Sequence, residues 1–358
     1  MAHSASRASA LPTPALRLPA EWEPQAAVLV AWPHAKTDWA ERLGEVEDSY
    51  IALVAAIARY QRVVICVADA DLQTYAEARL RSARIDISRV QFVEVEYDDT
   101  WLRDSGPITL QGPEGFRLLD FRFTGWGGKF EASRDDRLIQ SLESQQVFKE
   151  ASSRQIDFAL EGGAIETDGD GTLLTTWQCL HERHPRNSRE ELDEKLSHWL
   201  SQDRVLWLDH GYLEGDDTDA HIDTLARFAP GDGIVFQACE DPADSHYSEL
   251  KAMAGEISAL RTRDGNPYRL FPLPWAQPIV DGGRRLAASY ANFLIINGAV
   301  LMPAYGLTPD ERRVDADAAA VLAAAFPDRD IVPVPCRPLI WQNGSLHCLT
   351  MQLPHGLV

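Results

Sequence analysis

Val90-Gln91-Phe92-Val93-Glu94-Val95-Glu96-Tyr97 runs straight into Asp98-Asp99-Thr100-Trp101-Leu102-Arg103-Asp104-Ser105-Gly106-Pro107, joining a β-type segment to a loop of acids, a tryptophan and an arginine. Charged side chains and a large aromatic at a strand end are unusual for a purely structural turn, since loops held by rigid elements are where chemistry is carried. One structural alternative is an Arg103–Asp99 ion pair, which contributes little at a surface. Similar strand candidates recur along the chain at Ala26–Trp32, Val63–Ala68, Phe116–Phe123, Thr172–Trp177, Gly233–Ala238, Phe293–Ile296 and Ala299–Met302. Helical periodicity marks Trp39–Tyr60, Asp71–Ser82, Ser188–Leu200, Tyr247–Arg261 and Pro309–Ala325. The last opens on Thr308-Pro309, a cap followed by proline at the first helical position.

Strand and helix candidates are interleaved, so the class is α/β. Strands outnumber helices, whereas a doubly wound sheet would give about one to one. A repeated unit with several strands per helix fits better, although no literal repeat at a fixed period is visible.

Three further segments hold chemistry-bearing residues. Asn343-Gly344-Ser345-Leu346-His347-Cys348-Leu349-Thr350 sets Cys348 after a turn signal and before an apolar run, at a strand edge that could face a cleft. Free cysteines are more often small buried hydrophobes. If the segment is a strand, His347 points to the opposite face and is a poor base. Asp216-Asp217-Thr218-Asp219-Ala220-His221-Ile222-Asp223 supplies His221 and Asp223, which share a face if extended and are the minimum for a proton shuttle beside a cation site; the alternative is a solvated acidic loop. In Leu160-Glu161-Gly162-Gly163-Ala164 a carboxylate precedes two glycines, either a simple turn or a place where backbone comes close to another group.

Composition narrows the classes. Of 358 residues, 54 are acidic and 34 are Lys or Arg, a formal charge of −20 that disfavours nucleic acid and anionic membrane and suits a cationic ligand or plain solubility. No run of eighteen apolar residues predicts a membrane span. Cys66, Cys179, Cys239, Cys336 and Cys348 are scattered, without a Cys-x-x-Cys pair, which argues against disulfides or structural zinc and for a reducing compartment. The Ala, Ser and Pro-rich start lacks the apolar core of a signal peptide, and residues 1–17 are expected to form a poorly ordered arm. No P-loop, GxGxxG, GxSxG or HExxH motif is present, so neither a metal nor a cofactor is expected.

Together these segments resemble the guanidine-modifying superfamily, in the branch of agmatine deiminases and bacterial peptidyl-arginine deiminases. The resemblance runs from Leu18-Pro19-Ala20-Glu21-Trp22-Glu23-Pro24 and Ala31-Trp32-Pro33-His34 through Asp99–Pro107, Gly125-Trp126-Gly127-Gly128-Lys129, Glu161-Gly162-Gly163 and His221-Ile222-Asp223 to His347-Cys348-Leu349-Thr350. It implies a single domain over residues 18–358, a five-bladed α/β propeller of pseudo-repeated ββαβ units around a central channel. It also implies hydrolytic deimination of a small cationic guanidine, agmatine first, in cytoplasmic polyamine or arginine breakdown, with a homo-oligomer possible.

By the same resemblance Cys348 is the nucleophile, His221 the acid and base, Glu161 its partner, Asp104 and Asp223 the guanidinium holders and Trp101 an apolar wall. A guanidinium demands such a set: its carbon is a poor electrophile, so a thiolate is needed, and its planar fork is fixed by carboxylates. Peptidyl-arginine or arginine-like substrates, amidino transfer to an amine, and non-catalytic guanidinium binding stay open. Family members typically read Gly-Gly-Gly-Asn-Ile-His-Cys-Ile-Thr around the nucleophile, where this chain has Gln342-Asn343-Gly344-Ser345-Leu346-His347-Cys348-Leu349-Thr350. Ala220 stands where glycine is usual before the histidine, and Ala164 where asparagine is common.

Overall fold

The computed structural model describes residues 16–149 and 151–358. Of the expected arm, residues 1–15 lie outside the described residues, and Arg17 is hydrogen-bonded through its backbone to Gln111.

Four sheets share one plan: a first strand antiparallel to a second, which runs parallel to a third. They are Ile108–Gly112, Gly115–Arg122 and Ala151–Ala159; Ile165–Thr167, Thr172–Thr176 and Arg204–Leu208; Ala226–Ala229, Gly233–Gln237 and Arg269–Leu273; and Leu294–Ile296, Ala299–Ala304 and Asp330–Pro335. Helix separates the second strand from the third in each, because parallel neighbours need a crossover. The fifth sheet repeats the plan in permuted form. Met351–Pro354 pairs antiparallel with Gln25–Ala31, which runs parallel to Arg62–Val67, with Leu43–Ala58 between them and Val90–Glu94 added at the edge. A short hairpin, Val280–Asp281 with Arg284–Arg285, stands apart from the five.

The expected ββαβ unit is therefore present five times. The middle strands are its core: after Arg62, every residue to Val67 is buried, as are Thr172–Thr176 and Gly233–Gln237 throughout. Strands flanked on both sides and covered by helices read as continuous apolar runs, which is why these are visible in the sequence. Truncating one such residue, Ile65→Ala, is expected to cost about 2–5 kcal/mol through lost burial and the cavity left. The third strands of the four sheets are not among the sequence candidates. They are edges, and Pro272, Pro333 and Pro335 lie in two of them, where a missing N–H is tolerated.

Helix ends follow local chemistry. Thr308 accepts from Glu311 N–H while the Glu311 carboxylate accepts from Thr308 N–H, a capping box that starts Pro309–Ala325, and Ser188 with Glu191 does the same for Arg189–Leu200. No helix among the described residues is long and apolar enough to cross a membrane.

Candidate active site

In each unit the segment leading into the first strand turns toward one place. These segments carry Asp104, Glu161, His221 with Asp223, Asn292, and Cys348, one from each of the five units. Contacts join them: Gly163 N–H donates to Asp104 Oδ1 at 2.9 Å, His221 lies 3.6 Å from both Asp104 and Glu161, and Cys348 Sγ is 3.6 Å from Asp223 Oδ2 and 3.2 Å from Asn292 Nδ2. Side chains drawn from the whole length between Asp104 and Cys348 thus share one buried space.

The local conformations differ from those expected. Ile222–Thr224 is a 3-10 turn with His221 before it, not an extended segment, yet both side chains reach the site. Leu346–Leu349 forms turns, and the strand begins only at Met351. His347 consequently does not face away. Its Nδ1 is 2.8 Å from Asp223 Oδ2 and its Nε2 is 2.7 Å from Glu21 Oε2, so it holds the carboxylate that faces the thiol. The Arg103–Asp99 pair does not form either. Arg103 is buried against Glu21 and Gln352, while Asp99 accepts from Thr100 N–H and burial pushes its carboxyl up to about 8.

Gly162 and Gly163 are the crowded place their side-chain-free backbone suggested. A Cβ on Gly163 would stand 2.6 Å from His221 Nδ1 and 2.8 Å from Asp104 Oδ1, and one on Gly162 would meet the Arg103 carbonyl at 2.2 Å. Only one glycine of the usual triplet is kept before the cysteine, and there a Cβ would enter the Trp101 ring at 2.3 Å. Asn343, in the left-handed region at φ 73°, takes a glycine-type conformation that asparagine tolerates. Ala220 also lies left-handed, at φ 68°, where the usual glycine carries no penalty. Trp101 packs on Trp39 with ring centroids 5.5 Å apart and belongs to the apolar cluster that includes Cys348.

Electrostatics separate the groups. Burial raises the Cys348 thiol well above its ordinary value, and the Asp223 and Asp104 charges add to this. Burial also lifts Asp104 to about 6, against the pull of His221 and with the push of Asp223 and Glu161. Burial alone would lower His221, but the Asp104 carboxylate and its other neighbours raise it well above 6.5, favouring imidazolium. Asp223 and Glu161 are held low despite burial, by His347 and by His221 with Arg183 respectively.

Sequence reading misses several supports. Trp126 Nε1 donates to Asp104 Oδ2 at 2.9 Å, Arg183 Nε to Glu161 Oε1 at 2.7 Å, and Asn292 bonds both to Cys348 and to the His347 N–H. Trp126 sits in a run of four left-handed residues, Gly125 to Gly128, so the glycines around it are the available signal. Asn292 is one polar residue ahead of an apolar strand, a faint one. Arg183 has none.

Five loops closing on one thiol, one imidazole and three carboxylates, on five repeats of one α/β unit, define the class: this is the fold of the guanidine-modifying enzymes. The model of the Porphyromonas-type peptidyl-arginine deiminases matches residues 17–354. The chain belongs to that family. It is 32% identical over 367 residues to the agmatine deiminase of Stutzerimonas stutzeri, covering 95% of this chain and 96% of that one. The C. jejuni agmatine deiminase, solved as a cysteine-to-serine variant with substrate bound, superposes with a TM-score of 0.88 at 32% identity, over 98% of this chain and all of that one. A Porphyromonas gingivalis structure provisionally named as an arginine deiminase reaches 45% identity and a TM-score of 0.86, over 96% of this chain and 99% of that one.

Proposed function

We propose that the chain hydrolyses agmatine to N-carbamoylputrescine and ammonia, with Cys348 as nucleophile. The observation that carries this is the convergence of Cys348, His221, Glu161, Asp104 and Asp223 from four separate loops into one buried space.

The chemistry follows from the charges. Asp104 and Asp223 accept the guanidinium nitrogens, and the arriving cation offsets the two carboxylates that hold the thiol protonated. Cys348 then loses its proton to solvent, and the thiolate attacks the guanidinium carbon. His221, cationic in the empty site, gives its proton to the departing nitrogen, and ammonia leaves an amidino-thioether. The now neutral ring takes a proton from water as hydroxide adds to the same carbon. Collapse breaks the C–S bond, restores the thiolate and yields the ureido product, the proton of the added hydroxyl passing to solvent. Glu161, fixed by Arg183, keeps the ring oriented.

Two features favour agmatine over other guanidines. Cys348, His221 and Asp223 are at most 4% exposed, which suits a small substrate better than an arginine within a peptide. Lys129, Arg183 and Arg284, on the segments around the site, are each bonded to protein oxygens, leaving none of these three to meet the carboxylate of free arginine. Five unpaired cysteines support a reducing, cytoplasmic setting. The test is ammonia and ureido-product release from agmatine, arginine and a blocked arginyl peptide, with Cys348→Ala in parallel. Agmatine should turn over fastest and the variant should be inactive; folded wild-type protein that hydrolyses no guanidine would overturn the assignment.

A further inference from the structure

Beside His221 lies a thiol that the hydrolytic scheme does not use. Cys179, in the helix Trp177–Arg183, is fully buried. Its sulfur, a carboxylate oxygen of Glu161 and a ring nitrogen of His221 all lie within 4.8 Å of one another. His221 Nε2 and Glu161 Oε2 are 3.6 Å apart. Both atoms are buried and neither has a hydrogen-bond partner. Unmatched buried polar atoms are rare, because each costs its full desolvation penalty.

The spacing fits an ion better than a hydrogen bond. Nitrogen and oxygen ligands bound at zinc's usual lengths in a tetrahedron stand about 3.3 Å from each other, so the pair needs to close by only a few tenths of an ångström. Arg183 occupies the other Glu161 oxygen, at 2.7 Å, which leaves Oε2 as the free donor. Thiolate and carboxylate together carry two negative charges, matching a divalent cation in a place where net charge is costly. Asp104 Oδ1 lies 3.6 Å from the other ring nitrogen, where an outer carboxylate orients a metal-bound histidine.

We infer that Glu161, Cys179 and His221 form an inhibitory site for a soft divalent cation, zinc by its donor set. Binding displaces the proton of the Cys179 thiol and that of the His221 ring, with no change of oxidation state. The ion then occupies the ring nitrogen facing Glu161, and the proton transfers of hydrolysis stop. The inhibitory half rests on the proposed role of His221; the binding half does not.

The experiment titrates Zn2+ into metal-free full-length wild type, Cys348→Ala and Cys179→Ala, following binding by competition with a chromogenic chelator and by calorimetry, and ammonia release where there is activity. One equivalent should bind wild type and Cys348→Ala alike, and wild-type activity should fall along the same curve. Cys179→Ala should bind at least about ten-fold more weakly and need correspondingly more zinc for half-inhibition relative to its own zinc-free rate. Should that variant not fold, Co2+ in Cys348→Ala should give thiolate-to-cobalt absorption that Cys179→Ser in the same background removes. Unchanged affinity without the Cys179 thiol, loss of binding in Cys348→Ala, or no binding to wild type would each overturn the site. Zinc held through Cys179 by a wild-type protein inactive on every guanidine would leave the site standing and remove only the hydrolase reading.

Discussion

Gly163→Ala adds one methyl group at the point where three functional side chains meet. Its Cβ would lie 2.6 Å from His221 Nδ1, 2.8 Å from Asp104 Oδ1 and 3.3 Å from Asp223 Cγ. Ordinary contact begins at 3.4 Å, so the imidazole must give by 0.8 Å, the difference of 3.4 and 2.6 Å, or the loop must move. His221 and Asp104 are both buried. A displacement of about 1 Å at reacting groups costs on the order of a hundred-fold in rate, or about 2.7 kcal/mol of barrier, while overpacking destabilises a fold by about 1–3 kcal/mol. We therefore expect kcat for agmatine to fall on the order of a hundred-fold in a protein that still unfolds cooperatively, measured by coupled ammonia detection alongside thermal melting. Gly255→Ala is the control: nothing lies within 4 Å of its Cβ and it sits inside the helix Tyr247–Ala259, so stability should rise by up to about 1 kcal/mol with unchanged kcat. A folded Gly163→Ala enzyme within three-fold of wild type would refute the idea that this glycine is required by the packing of the site.

Ala220→Gly should stabilise the protein by about 1 kcal/mol, read as a higher melting temperature, because it relieves a left-handed alanine at φ 68°. Trp126→Phe keeps the apolar packing but leaves Asp104 Oδ2 without its donor, so kcat/KM should drop about ten-fold, with little change in circular dichroism. As pH falls, Asp104, lifted by burial to about 6, takes up a proton and loses its grip on the guanidinium, so kcat/KM should decline through that range; a profile flat down to pH 5 would count against its role. Burial also raises Asp99 to about 8 and Asp135 to about 7. The folded state thus holds protons that the unfolded chain releases near 4, and the stability they contribute is lost progressively as pH rises from about 4 and is gone above about 8. Melting temperature should fall over that window, and Asp99→Asn should flatten the slope.

Middle strands and long helices are legible because burial on both faces, or on one stripe, writes itself as an apolar run or a period. Pro309–Ala325 even matches to the residue, since Thr308, Pro309 and Glu311 state a helix start chemically. Edge strands such as Asp330–Pro335, half exposed and broken by proline, carry no such signal. The five-fold repeat is invisible because it is a repeat of hydrogen-bonding plan, and the plan is satisfied by unrelated side chains. At the site, the chemistry-bearing residues stand out by type. Their neighbours Asn292 and Arg183 do not, because a residue that orients another is marked only by the contact it makes. Strand alternation puts His347 on the wrong face, because the turn around it overrides the extended conformation that alternation assumes.

The pairing of Met351–Pro354 with Gln25–Ala31 joins segments made early and late in the synthesis of this fold. While the polypeptide emerges from the ribosome, the sheet begun by Gln25–Ala31 waits with one side unfilled until the other four sheets of this plan have been synthesised. The thiol of Cys348 precedes that final strand by only a few residues, and is set among its partners when the strand docks. A chain that stops short of Cys348 lacks the thiol that the proposed hydrolysis needs, so competence is expected only once that strand has docked.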